Sequence, residues 1–234
     1  VILHPLLPAG EVIRLEEEGA AEAIAAAYCP DDSVRVRLNM IASLNGSSIG
    51  SDGTSETLTN RVDRTILGIL RAQSDVVVVG AESVRTEGYR VPRSVPLAIM
   101  SSTGDLAGHR LEVREGARVM LLIPETVSAL PELPRGSDVV RVPTEGRRLS
   151  VAAVLAALRQ RNFERVMCEG GASVFGQFLA SGQVDEICLT TAPRVVLPGL
   201  PVATGVSIVT DDYALTLLAV DDSCSTYTRW TRVR

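Results

Sequence analysis

Two corners of the chain carry residue types that could do chemistry. At Glu169-Gly170-Gly171-Ala172-Ser173 an apolar run, Val166-Met167-Cys168, ends on a carboxylate and two residues without side chains, where a segment of helical spacing starts. At Gly80-Ala81-Glu82-Ser83 a run of valines, Val76 to Val79, ends on glycine, an acid and a hydroxyl, and a second acid, Glu87, follows. Glycine after a strand lets backbone approach a ligand closely. A helix N-terminus offers unpaired N–H groups and partial positive charge to an anion. Each corner reads as a phosphate or pyrophosphate site with a carboxylate beside it; plain close packing of strand on helix is the alternative. Neither corner has the spacing G-x-G-x-x-G of a Rossmann fingerprint.

Composition narrows the chemistry. All 23 basic residues are arginine, so a lysine Schiff base and a Walker-type phosphate lysine are excluded. Anions must be met by arginine, hydroxyls or backbone N–H groups. Cys29, Cys168, Cys188 and Cys224 stand far apart and read as buried free thiols of a reducing cytoplasm. His4 and His109 are the only histidines, so no metal site is expected. There is no G-x-S-x-G elbow, and His109 in a surface loop makes a poor Ser-His triad. Glu16-Glu17-Glu18 reads as a solvated helix face. A net charge of −5 points away from nucleic acid and acidic membrane surfaces. The opening VILHPLLPAGEVIRL lacks a basic n-region, and no uncharged apolar run reaches membrane length, so a soluble cytoplasmic protein is expected.

The elements that must position these corners follow from hydrophobic spacing. A helix is expected over 13–28, ended by Pro30-Asp31-Asp32, then a strand over 36–42 and a Gly/Ser/Thr-rich loop over 45–59. Val62, Ile66, Leu67, Ile69 and Leu70 give helical spacing over 60–73. Val76 to Val79, apolar on both faces, reads as a buried central strand. Further strands are expected over 97–100, 119–123, 139–142 and 165–168 and in the segment VDEICLTTAPRVV. Ser150 caps a helix carrying Val151, Val154, Leu155 and Leu158. A hairpin of 213–220 and 224–233 closes the chain, and 93–94 and 131–136 are ordinary loops. The alternation predicts an α/β fold, a mostly parallel sheet with an antiparallel C-terminal edge.

The stretches VRLNMIASLNGSSIG, LRAQSDVVVVGAESVRTEGY, PLAIMSS and VMCEGGASVFGQFLASGQVDEICLTTAPRVVLPG come in the order of the riboflavin-biosynthesis pyrimidine reductases. The chain resembles that family over about residues 35–233, most specifically from E-G-G to V-D-E. The resemblance implies a dihydrofolate-reductase-like three-layer α/β/α sandwich, NADPH as cofactor and a homodimer. It leaves residues 1–34 as an N-terminal helical extension to a reductase domain over 35–234. The family's deaminase partner needs H-x-E and P-C-x-x-C, and neither is present.

Carried over position by position, the resemblance makes Glu169 a substrate contact and gives Gly170, Gly171, Ala172, Ser173, Val174 and Phe175 the cofactor's phosphates. Ser83, Thr57 and Ile41 fall on cofactor contacts, and Ser101 falls on the adenosine end. Glu87 lies beside nicotinamide and substrate and shares the catalytic role with Glu169. Arg71, Ser55 and Asn39 fall on substrate contacts. The chain departs from the family at Asn39 for lysine, Asn45 for aspartate, Glu87 for aspartate, and Glu82 for glycine.

The implied reaction reduces a 6-(5-phosphoribosylamino)pyrimidine to its ribitylamino product, with hydride delivered to the sugar C1′. Two rivals stand beside it. Reduction of a pteridine such as dihydrofolate wants an acid near the first helix of the domain, and Asp63 or Glu56 qualifies by position, although Asp63 reads more simply as a solvated helix residue. A non-catalytic NADP-binding module would treat Asn39 and Asn45 as decay.

Overall fold

The computed structural model describes residues 1–29, 31–128, 133, 136–206 and 210–233. The expected break at Pro30 and most of the loop at 131–136 lie outside them. Along the chain run β1 (Ile2–Leu7), β2 (Ile13–Arg14), α1 (Ala20–Ala27), β3 (Val36–Ser43), α2 (Arg61–Ala72), β4 (Val76–Gly80) and α3 (Ala81–Thr86). Then come β5 (Leu97–Met100), β6 (Val119–Pro124), β7 (Asp138–Val142), β8 (Thr144–Glu145), β9 (Arg148–Leu149) and α4 (Val151–Arg159). The rest is β10 (Val166–Gly170), α5 (Ala172–Ala180), β11 (Glu186–Ala192), β12 (Tyr213–Asp221) and β13 (Thr226–Arg232).

Among the described residues one sheet of 11 strands runs β2-β1-β12-β13-β11-β3-β10-β4-β5-β6-β7, and β8 pairs with β9 alone. From β11 to β7 the pairs are parallel; β13, β12, β1 and β2 continue the sheet antiparallel. The valine run explains the centre. Val76 and Val78 face one layer, with α4 and α5; Val77 and Val79 face the other, with α3. Met167 of β10 points to that second side and packs against Val62, Ile66 and Leu70 of α2. Helices therefore cover both faces, and all four valines are buried. No helix among the described residues is long and apolar enough to cross a membrane.

The start of the chain departs from expectation. Residues 13–28 do not form one helix: Ile13 and Arg14 pair with Leu3 and Ile2, and the helix begins only at Ala20. Gly19, at φ 86, interrupts the Ala/Glu-rich segment, and Ile13 and Leu15 gain more by packing into the α1–α2 cluster than helix propensity offers. Residues 1–34 are thus two strands and a short helix rather than a helical extension, and they lie outside the C-terminal hairpin, which is not the sheet's edge. The thiols also divide: Cys168 and Cys188 are buried, but Cys29 and Cys224 are exposed.

β1, β8 and β9 are additional to the expected elements; the others sit close to where spacing put them, and side-chain caps mark the starts of two helices. Asn60 accepts from the Asp63 N–H to start α2, and the Ser150 side chain accepts from the Ala153 N–H to start α4. Strand β10 runs two residues further than expected, to Gly170, which has φ +86. A Cβ there would also lie 2.7 Å from Met40 Cε. Gly170→Ala should therefore destabilise the fold by about 1–3 kcal/mol, read from the urea midpoint at unchanged m-value. The Gly170–Gly171 peptide is cis.

Candidate active site

The carboxyl ends of β3, β10 and β4 open into a cleft of about 850 Å³. In open α/β sheets ligands bind at such strand ends. Asn39 and Ile41 of β3 form part of the floor. Residues four apart on a helix share a face, so Asp63, Leu67 and Arg71 of α2 form one wall. Ser83 and Glu87 come from the β4 corner, and Glu169, Gly171, Ala172, Ser173 and Val174 from the β10 corner.

The centre is an ion pair that sequence spacing does not show. Arg71 Nε and Nη2 donate to Glu169 Oε1 and Oε2, each at 2.7 Å, in the bidentate geometry that makes such pairs strong. The side chains are 21% and 8% exposed, so little water competes. Tyr89 completes the group. Its hydroxyl accepts from Arg71 Nη2 at 2.9 Å and donates to Glu169 Oε2, while the guanidinium carbon lies 5.5 Å from its ring centroid. Burial, then the Glu169 charge, push the Tyr89 pKa well above its usual value. Burial works against the Arg71 charge, but the Glu169 carboxylate more than compensates and keeps the guanidinium protonated. Arg71 is thus engaged by protein, whereas the family resemblance gave it to substrate. Tyr89 drew no assignment from the sequence; its signal was an aromatic hydroxyl two residues after Glu87.

Glu87 ends α3 and receives a hydrogen bond from the Ser55 hydroxyl at 2.8 Å. The surrounding protein raises its pKa; the Ser55 bond opposes this, and the carboxylates of Glu169, Asp52 and Glu56 add to it. Glu87 is exposed where it lines the cleft, so it and Glu169 differ in character: one is reachable by water, the other locked by arginine.

The β10 corner fits a dinucleotide's phosphates. Gly171 N donates to Ser83 Oγ at 2.8 Å, and a Cβ on Gly171 would lie 2.8 Å from that oxygen, so the two corners touch only because Gly171 lacks a side chain. No side chain caps α5, whose first residues Ala172, Ser173 and Val174 line the cleft. Among the described residues no side chain accepts from the orphan N–H groups of its first turn, which open on the cleft.

Four expected contacts stand elsewhere. Thr57 is turned to Asp52 and the Ser51 amide. Ser101 is buried at the end of β5, bonded to Leu122 and Asp105 carbonyls. Phe175 packs in the core, and Gly170 lies beneath the corner rather than in the cleft wall. Of the residues that depart from the family pattern, Asn45 holds the backbone of Val196 outside the cleft, and Glu82 stands exposed in its wall. Asp63 is not the solvated residue expected: it is 9% exposed, accepts from Thr59 Oγ1 at 2.6 Å, and burial raises its pKa. Glu56 is the exposed one, paired with Arg64.

The family model described as the RibD C-terminal domain matches residues 34–222. A riboflavin biosynthesis protein RibD from Bacillus amyloliquefaciens is 29% identical over 175 residues, covering 69% of this chain and 46% of that protein. The 2,5-diamino-6-ribosylamino-4(3H)-pyrimidinone 5′-phosphate reductase of Methanothermobacter thermautotrophicus is 26% identical over 172 residues, covering 69% of this chain and 78% of that one. Among solved structures, a pyrimidine reductase-like protein from Corynebacterium diphtheriae shares the fold at a TM-score of 0.71 and 23% identity, over 92% of this chain and 99% of the other.

Proposed function

The chain belongs to the family of the RibD C-terminal domain, and from that premise we propose that it is an NADPH-dependent reductase of a phosphoribosylamino pyrimidine in riboflavin biosynthesis. One observation carries the reading: a clamped carboxylate, Glu169, stands directly before the uncapped N-terminus of α5, in one cleft with a second acid, Glu87. The phosphates would lie on the N–H groups of Ala172, Ser173 and Val174. A like charge repels them, so Glu169 would face the substrate instead. A bound reduced nicotinamide supplies hydride to the sugar C1′.

The chain's own residues bind, orient and move protons. The substrate's C1′–O4′ bond opens as O4′ leaves as a hydroxyl, giving an imine whose nitrogen must gain a proton as C1′ is reduced. Arg71 and Tyr89 hold Glu169 in one orientation, so its free lone pairs can accept from sugar hydroxyls. Glu87, its pKa raised and its side chain reachable by water, is the proton donor. A general acid works only while protonated, so turnover should fall as pH rises through that raised pKa. Glu87→Gln should remove this alkaline limb and lower kcat about 100-fold or more in an NADPH-oxidation assay. An unchanged pH profile would take the proton role from Glu87.

A second reading, reduction of a dihydropteridine, is favoured by the buried acid Asp63 in the cleft wall. Dihydrofolate assayed beside the pyrimidine separates the two. We further propose a cytoplasmic homodimer. Leu44, Val195 and Leu197 are 63%, 65% and 80% exposed on adjoining loops joined by the Leu44 N–H to Arg194 carbonyl bond, an apolar surface suited to a second copy. Sedimentation equilibrium should give twice the 24.9 kDa of one chain; a single-chain mass would refute the dimer.

A further inference from the structure

The mechanism leaves one buried titratable group of the cleft without work. Among the described residues the Asp63 carboxylate accepts from Thr59 at 2.6 Å, and the Thr190 hydroxyl of β11 also favours its charged form. Of the other buried acids, Glu186 is matched to Arg37 at 2.7 Å and Glu169 to Arg71, while Asp221 of β12 has both oxygens taken up by Asn60, Tyr227, Ser223 and the Ser225 amide. No arginine pairs with Asp63 among the described residues, although the cleft wall contains it. A carboxylate held this way keeps acceptor capacity for a ligand with N–H donors. Asp63 and Arg71 lie eight residues apart on one helix face, about 12 Å, with Leu67 between them as an apolar floor. If the sugar lies by Glu169 and Arg71, the heterocycle lies over Leu67 and reaches Asp63.

We propose that Asp63 accepts the ring N3–H and the C2 amino group of a 2-amino-4-oxopyrimidine edge, and so selects the diaminopyrimidinone substrate over its uracil counterpart. The proposal rests on the reductase reading and deepens it. The two N–H groups of a 2-amino-4-oxo edge are parallel and match the two oxygens of a carboxylate. In the uracil the C2 position is a carbonyl, which meets Asp63 with lone pair against lone pair and leaves one bond instead of two. The pteridine of the second reading carries the same edge.

The test compares kcat/KM of the purified protein with the diaminopyrimidinone ribosylamino phosphate, the aminouracil counterpart and dihydrofolate. Hydrogen bonds to a charged group are each worth about 1.5–3 kcal/mol, so the wild type should favour the diamino substrate by tenfold or more. Asp63→Asn offers one acceptor and one donor, the pattern of the uracil edge, and should collapse that preference. The aminouracil used as well as the diamino substrate by wild type overturns the proposal, and needs no variant to fold. So does a well-folded Asp63→Asn with the preference intact. Turnover of dihydrofolate alone would overturn the proposal and the pyrimidine reading together, in favour of the pteridine. No turnover of any of the three refutes the reductase reading itself, and the proposal with it.

Discussion

Replacing Glu169 by alanine should cost both stability and activity, and the two losses have separate causes. The Arg71 guanidinium is about one-fifth exposed and spends two of its donors on Glu169. Removing the carboxylate strands a largely buried cation, a loss of about 3 kcal/mol on the scale of broken buried pairs. The Tyr89 hydroxyl loses its acceptor at the same time. Removing both charges should be milder: Glu169→Ala with Arg71→Met should recover much of the stability, because no buried charge is left unmatched. Activity should not recover. A carboxylate that orients the sugar contributes through positioning, and its loss should lower kcat/KM about 1000-fold in every variant lacking it. Urea titration and steady-state kinetics on the two single variants and the double variant separate these effects. Equal stability losses in single and double variants would show that the pair is not the unit described.

A carboxylate placed at the start of α5 should move stability and cofactor binding in opposite directions. Ser173 lies in the uncapped first turn and in the cleft wall. Ser173→Asp puts negative charge where the helix N-terminus favours it, so the ligand-free protein should gain about 0.3–1 kcal/mol. The same charge would stand within a few ångströms of the cofactor's pyrophosphate. At an effective dielectric near 20 that repulsion is about 3 kcal/mol, roughly 100-fold in affinity for NADPH. Both effects should shrink in high salt. Calorimetric titration beside thermal melting reads them together. Unchanged NADPH affinity would place the phosphates elsewhere.

Parallel strands were legible because burial on both faces leaves continuous apolar runs, as in Val76 to Val79 and Val166 to Cys168. The antiparallel strands at the start of the chain carry no such mark. In β1, Pro5 interrupts the pattern and burial is irregular, so Ile2–Leu7 looked like nothing in particular until β12 was there to pair with it. The glycine corners were legible from their chemistry, and both open on one cleft. What joins them was not. Arg71 and Glu169 are 98 residues apart, and only the β10–β4 pairing brings α2's last turn over the end of β10. Asp63 was misread for a related reason. On α2 the residues Val62, Ile66 and Leu70 mark the core face, and position 63 is one step round from it. Whether that step meets water or a cleft depends on β11, which lies more than 120 residues later. Thr57 and Ser101 matched family positions, but here they serve their own loops.

The most direct measurement uses NADPH deuterated at the transferred position of the nicotinamide and the diaminopyrimidinone ribosylamino phosphate, with the product analysed by mass spectrometry and NMR. Hydride transfer in this cleft predicts one deuterium per molecule of ribitylamino product, on C1′ and on one face only. A product without deuterium, or with deuterium at a different carbon, would contradict reduction at the sugar and with it the roles given to Glu87 and Glu169.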